Sequence, residues 1–397
     1  MADIQNLVEL FRKLESRDII VHQQRCVRVR NKNATCHHCS DACTSKCITI
    51  EDNELYIEPG NCIGCNTCCT ACPTCALEAR KPTDAEFLRA AVQAMRAADG
   101  EAVLAAESIV QAAGEYLKPG LVVPVVNLGR VDETLILGLV NAGARRITLV
   151  QPRVLDEAQI KGIETAKLVC ESANTLLAVW KQQARARVTE TFPVAVRVEK
   201  AEYDENRRRF FETVASEAKD VGFVAAAHVV DRTLDAGMPE FDLFTQLKVG
   251  DDGTLPHFIP DRRERLLNAL ARMGEPADEM VETRLWGHVI IDPEKCSGCR
   301  MCATFCPTGA LYKYTDETNP TETGIEHSPA DCVKCRCCED VCPEHAITIS
   351  DAVFAVDLME GAVERYPMPE DLTKKPKTHF MYDKLKALIG DPYMYER

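Results

Sequence analysis

The tightest constraint on this chain is the run Cys296-Ser-Gly-Cys299-Arg-Met-Cys302-Ala-Thr-Phe-Cys306-Pro307, which returns as Cys332-Val-Lys-Cys335-Arg-Cys-Cys338-Glu-Asp-Val-Cys342-Pro343. Both read C-x2-C-x2-C-x3-C-P. A zinc site would call for C-x2-C pairs separated by a longer loop, whereas here four cysteines fall within eleven residues. The chain holds 21 cysteines in 397 residues. In a protein of this size that usage points to thiolate ligands in a reducing compartment, not to a secreted disulfide framework.

A third copy is intact near the N-terminus: Cys62-Ile-Gly-Cys65-Asn-Thr-Cys68-Cys-Thr-Ala-Cys72-Pro73. The stretch before it is irregular: Cys36-His-His-Cys39-Ser-Asp-Ala-Cys43-Thr-Ser-Lys-Cys47-Ile. Laying Ala42-Cys43-Thr44-Ser45 on Ala71-Cys72-Pro73-Thr74 makes Cys43 the fourth cysteine, Cys39 the third and Cys36 the second. Asn33 then stands where the first belongs, Cys26 is the nearest upstream replacement, and Thr44 takes the place of the proline. Cys47 competes for the vacant place because it lies close in sequence.

Around these motifs, residues 26–80 and 288–350 each resemble a bacterial 2[4Fe–4S] dicluster ferredoxin, together under a third of the chain. In that family the fourth cysteine of a run ligates the other cluster of the pair. The resemblance therefore implies four [4Fe–4S] clusters, held by Cys296, Cys299, Cys302 and Cys342; by Cys332, Cys335, Cys338 and Cys306; by Cys62, Cys65, Cys68 and Cys43; and by Cys26, Cys36, Cys39 and Cys72. Cys47 falls where ferredoxins carry a small apolar residue opening the next strand. Short strands bracket the motifs at Cys47–Ile50, Leu55–Ile57, Val289–Ile291 and Ala346–Ile349. The leftover cysteines, Cys47, Cys69, Cys75, Cys170 and Cys337, read as small buried hydrophobes. Cys69 and Cys337 stand beside third ligands, where a thiol can also tune a cluster. His37 and His38 suit surface polarity near a cluster, or a proton-coupled role.

Between the two cysteine-rich regions the composition changes to alanine and valine. Pro82-Thr83-Asp84-Ala85-Glu86 is a capping box opening a helix to about Ala98. Strands at Ala102–Ala106, Leu121–Val126, Arg146–Val150 and Arg187–Thr191 alternate with helices near Asp132–Ala142 and Glu157–Lys181, which predicts a parallel sheet covered by helices. Val125-Val126-Asn127-Leu128-Gly129-Arg130-Val131-Asp132, Leu139-Val140-Asn141-Ala142-Gly143-Ala144 and Ile147-Thr-Leu-Val-Gln151-Pro152 resemble the delta subunit of methyl-viologen-reducing hydrogenases, over about residues 100–195. That family carries electrons to heterodisulfide reductase and binds a [2Fe–2S] cluster at these strand ends. Asn127 and Gln151 stand there in this chain, so the resemblance implies the scaffold without that cluster. Asn127-Leu-Gly129-Arg130 follows a strand and precedes a helix, as either an anion or nucleotide contact or a structural turn. His228 and Asp231 have no nucleophile beside them and read as core or surface.

The expected fold class is α/β and α+β multidomain: two ferredoxin-like dicluster domains around a central parallel α/β domain. The boundaries are 1–82 for an N-terminal helix (3–16) and dicluster domain, 83–199 for the central domain, 200–285 for a bridging region, 286–352 for the second dicluster domain, and 353–397 for a docking tail. The bridge carries helices near Glu205–Lys219 and Arg262–Met273 and an apolar strand Val221–Val230; the tail carries an amphipathic helix through Phe380, Leu385 and Ile389. Arg25-Cys26-Val27-Arg28-Val29-Arg30 reads as an alternating strand with arginines on one face, solvated or docking an acidic partner. A net charge of -14 argues against nucleic acid, and 46% hydrophobic with 27% charged residues is ordinary globular composition. No leader with a basic start and apolar core is seen at the N-terminus and no apolar run approaches a membrane span, so a cytoplasmic protein is expected. Closed, all-thiolate sites leave no position for substrate. The chain is thus expected to carry single electrons between a low-potential donor and an oxidoreductase partner. The alternative is a cluster-fed oxidoreductase whose central domain binds a flavin or a small substrate.

Overall fold

The computed structural model describes residues 18–198, 254–277 and 280–368. The expected helices at 3–16, Glu205–Lys219 and Phe380–Ile389, and the Val221–Val230 strand with His228 and Asp231, lie outside the described residues.

Near the N-terminus, Asp52 and Asn53 take φ of 50° and 60°, the left-handed pair that a tight two-residue hairpin needs to match strand twist. They join β2 (Ile48–Glu51) to β3 (Glu54–Ile57), paired antiparallel from Ile48 opposite Ile57. Alternation along these strands buries Ile48, Leu55 and Ile57. The segment is closed by β1 (Ile19–Val21) antiparallel to β4 (Leu77–Ala79). The expected arginine strand is not formed. Gln23–Arg25 is a 3-10 turn and Val27–Arg30 one turn of α-helix, so Arg30 rotates inward and is fully buried instead of facing solvent.

In the middle of the chain, β5 (Glu101–Ala106), β6 (Val123–Val125), β7 (Arg146–Val150) and β8 (Ala186–Thr189) form a parallel sheet in the order β6-β5-β7-β8. Every residue of β5 is buried, as a strand covered on both faces requires. The helix Asp84–Ala97 starts at the expected capping box: Thr83 Oγ1 accepts from Glu86 N, and Glu86 Oε2 accepts from Thr83 N at 2.9 Å. Helices Glu133–Asn141 and Glu157–Val179 complete the layers. Their apolar faces join Leu104, Ile147, Leu149 and Trp180 in one core.

Toward the C-terminus come β9 (Met280–Glu282), β10 (His288–Ile291), β11 (Leu311–Thr315), β12 (Thr323–His327), β13 (Ile347–Ser350), β14 (Ala352–Phe354) and β15 (Glu364–Pro367). β10 pairs with β13 and β11 with β12, both antiparallel, repeating the β1–β4 and β2–β3 pairings of the N-terminal segment. The stretch expected to be a docking tail from residue 353 folds back on its own chain as far as Met368. β14 pairs with β9, the helix Ala355–Glu360 buries Ala355 and Leu358 in the central core, and β15 adds to β12.

The cysteine-rich segments touch each other directly. Val27 and Ala34 pack with Leu255, Met301, Phe305, Cys337 and Val341 in a dry seam. Across it Arg30 donates to Pro256 O at 2.8 Å and to Cys306 O at 3.3 Å, and Thr35 N donates to Asp340 Oδ2 at 2.8 Å.

Within the central domain, the turn after β6 is locked against the long helix Glu157–Val179. Asn127 is buried; its Oδ1 accepts from Gly129 N at 3.1 Å and its Nδ2 donates to Ala158 O at 2.7 Å. A Cβ on Gly162 would lie 1.6 Å from Asn127 Oδ1, so the helix can pass only with glycine there. Gly162→Ala is expected to lower stability by about 1–3 kcal/mol through overpacking. Adding Asn127→Ala should relieve the clash, so the two changes will be less than additive in chemical denaturation followed by circular dichroism.

Candidate metal centres

Each intact cysteine run builds the same backbone trap. The residue two places after the first cysteine is left-handed in all of them: Gly64 at 67°, Gly298 at 68° and Lys334 at 52°. So is the residue two places before the third cysteine: Asn66 at 57°, Arg300 at 58° and Arg336 at 60°. Reversals of this kind turn successive N–H groups toward one side, a concavity suited to an anionic centre. One such amide, Gly298 N, already points at Cys296 Sγ at 3.4 Å. A short helix then carries the third cysteine: Thr67–Ala71 with Cys68, Met301–Phe305 with Cys302, and Cys337–Val341 with Cys338. The fourth cysteine, Cys72, Cys306 or Cys342, caps that helix and leaves in extended or near-extended conformation.

The irregular N-terminal run shares only the second half of this design. His38–Asp41 is the corresponding short helix with Cys39, but His37 sits at φ -130° where the intact runs are left-handed. After each fourth cysteine the third residue is left-handed: Lys46 at 53°, Cys75 at 49°, Gly309 at 76° and His345 at 49°. Cys43 and Cys72 therefore occupy equivalent places, and Cys47 is equivalent to Ala76, Ala310 and Ala346. Ala76 N and Ala346 N donate to Cys72 Sγ and Cys342 Sγ, each at 3.3 Å.

The fold gathers the sixteen candidate cysteines into sets. Burial, and then repulsion from Cys72, Cys26 and Cys36, pushes the Cys39 thiol far up. Burial likewise pushes Cys26 up to about 12, with Cys72 and Cys36 adding to it. Cys68 is raised by a hydrogen bond with Cys69, then by burial, with Cys43 and Cys62 nearby; Cys65 is raised by burial with Cys68 and Cys43 nearby. Cys302 is raised by burial and by Cys299, Cys296 and Cys342. Cys338 is raised by burial and by Cys335, Cys332, Cys306 and, more weakly, Cys302. The last pairing, and that of Cys39 with Cys68, brings two sets close within each cysteine-rich segment.

These groups fit [4Fe–4S] clusters by donor chemistry. Each set consists only of soft sulfur, turned inward, with backbone N–H groups on the sulfurs. Thiols this buried stay protonated unless a cation compensates the thiolate charge.

Several contacts were not legible in sequence. Cys47 Sγ lies 3.5 Å from Cys43 Sγ, and Cys47 also contacts Cys62. Arginines hold the carbonyls of the cysteine loops: half-buried Arg262 donates to Cys69 O at 2.9 Å and also to Cys72 O, and buried Arg263 donates to Cys332 O at 2.9 Å. A residue type scattered through surfaces gives no sequence signal for this role. Of the remaining cysteines, Cys69 Sγ donates to Asn66 Oδ1 at 3.8 Å and Cys337 Sγ to Phe305 O at 3.8 Å. Cys170 is buried in the central core, raised by burial to about 12. His37 and His38 are both exposed, and His37 meets Arg28 Nη1 at 3.0 Å.

Arg130 is buried and paired: it donates to Asp84 Oδ1 at 2.6 Å and stacks over Phe87 at 5.0 Å, which favours the structural reading of the turn at Asn127. A cleft of about 350 Å³ opens instead where the segments meet, lined among others by Cys75, Glu133, Lys161, Arg262, Arg284 and Lys334. Its charges are largely paired: Arg284 makes a two-pronged contact with Glu133 at 2.7 and 2.8 Å, and Lys334 binds Asp351 at 2.8 Å.

Among the described residues no helix is long and apolar enough to cross a membrane. No curated protein and no solved structure matched the chain. A family model described as a 4Fe-4S dicluster domain matches residues 282–346, the stretch that holds Cys296 through Cys342. Residues 282–346 of this chain are thus a 4Fe-4S dicluster domain, a module of iron–sulfur electron transfer.

Proposed function

We propose that the whole chain is an electron-transfer protein or subunit with four [4Fe–4S] clusters, two in each cysteine-rich segment. The ligand sets would be Cys43, Cys62, Cys65 and Cys68; Cys26, Cys36, Cys39 and Cys72; Cys306, Cys332, Cys335 and Cys338; and Cys296, Cys299, Cys302 and Cys342. The observation that carries this reading is the dry seam between the segments. Val27, next to Cys26, packs on Cys337, and Arg30 bonds to Cys306 O, so the second and third sets adjoin. Taken in the order just given, each set would adjoin the next. Single electrons would enter at one end and leave at the other, with no open coordination position for substrate.

The parallel central sheet supports, by analogy alone, an oxidoreductase partner of the hydrogenase, formate dehydrogenase or heterodisulfide reductase type. The cleft favours a second reading, a cluster-fed oxidoreductase acting on a bound flavin or small substrate, because its volume falls in the range of small-ligand sites. A flavin absorbance in the purified protein would support that reading; anaerobic co-purification with a catalytic subunit would support the carrier.

Two measurements test the cluster assignment. Anaerobic analysis of fully loaded protein should give about sixteen irons and sixteen sulfides per chain, from four cubanes; about eight irons would overturn it. Cys26→Ala should then lose one cluster or leave a three-iron form visible by EPR, whereas Cys47→Ala should keep all four. The reverse pattern would assign the vacant position to Cys47.

A further inference from the structure

Away from the cysteine loops, two histidines and a carboxylate converge at the junction of two sheets. His327 ends β12 and Glu364 begins β15, directly opposite it in the antiparallel register. His288 begins β10 in the neighbouring sheet, where it pairs with Ser350. One ligand atom from each of the three lies within 4.8 Å of the others. His288 Nε2 and Glu364 Oε2 are already 2.9 Å apart, and the two imidazoles meet edge to face with centroids 5.6 Å apart.

The telling residue is His327. It is 0% exposed, and neither of its ring nitrogens has a hydrogen-bond partner. A buried imidazole nearly always places its N–H or its lone pair on something, because leaving both unmet forfeits the hydration it gave up. Its ring faces a neighbouring imidazole and a carboxylate, both of which reach the surface. Such an arrangement suits a cation that accepts lone pairs, and it offers little to an anion.

We propose that His288, His327 and Glu364 bind a divalent first-row transition ion of the zinc type. Two imidazoles and one carboxylate are a borderline donor set that zinc takes readily, with a fourth position left to water or another ligand. Ligands at about 2.0 Å on a tetrahedral ion stand roughly 3.3 Å apart. Binding would require the present spacing, within 4.8 Å, to adjust to that value, which the partly exposed His288 and Glu364 side chains would do by rotating. The three ligands come from three strands of two sheets, so the ion would pin β15 and the β11–β12 hairpin to the sheet of the dicluster domain. Tyr366, also on β15, supports the same junction by donating to Val289 O at 2.6 Å.

The test uses the full chain, loaded with clusters, washed with chelator and dialysed anaerobically against Zn²⁺ alone, with zinc and iron counted by mass spectrometry. About one zinc per chain should be retained with the iron unchanged. His288→Gln and Glu364→Gln, both at partly exposed positions, should each weaken retention at least about tenfold. His22→Gln, which alters a similar surface His–Glu pair with Glu78, should not. His327→Ala should also abolish binding, but because the site is buried the two outer variants decide the matter. Zinc retained equally in both outer variants, zinc taken up only as iron is lost, or no zinc retained at all would each overturn the proposal.

Discussion

Buried sulfur is the condition on which the rest of this structure rests. Where an ordinary small domain would place aliphatic side chains, the centres of the two cysteine-rich segments hold thiols that crowd one another. Cys39, Cys302 and Cys338 are each surrounded by at least three others. Burial and mutual repulsion both oppose their ionisation, and a cation shared by the sulfurs would offset both costs. The short strands around the loops contribute little apolar area by themselves. Ile48, Leu55 and Leu77 pack directly onto cysteines, so the order of the strands and the occupancy of the loops are linked.

Arginines carry that order outward. Buried Arg30 and Arg263 and half-buried Arg262 donate to carbonyl oxygens of the cysteine loops, Arg30 at Cys306, Arg262 at Cys69 and Cys72, and Arg263 at Cys332. A guanidinium suits this work because its several N–H groups reach different carbonyls at once and its charge persists when buried. Arg263 also stacks on Trp286 at 4.7 Å, tying the loop to the central core. With the proposed clusters in place, the positive charge beside them would favour their reduced state.

Much of this was legible in the chain itself. The spacing of Cys296 to Cys342 determined a dicluster module, because four thiols at those intervals close on one centre and its neighbour. The Thr83–Glu86 capping box and the alternation of apolar strands with helices were readable for equally local reasons: each depends on residues close together along the chain. The parallel order of the central sheet also followed, since helices between successive strands leave few other connections.

What needed the tertiary structure was everything decided by partners distant in sequence. Arg30 reads as one face of an exposed strand until residues 255–256 and Cys306 arrive to bury it. Arg130 reads as an anion contact until Asp84 and Phe87 claim it. Residues 353–368 read as part of a docking tail because β14 and β15 are too short to show a period; pairing with β9 and β12 makes them strands. His288, His327 and Glu364 carry no spacing signal at all. They meet only because two antiparallel registers bring three strand ends together, and sequence encodes register through the sum of the packing and not through any one residue.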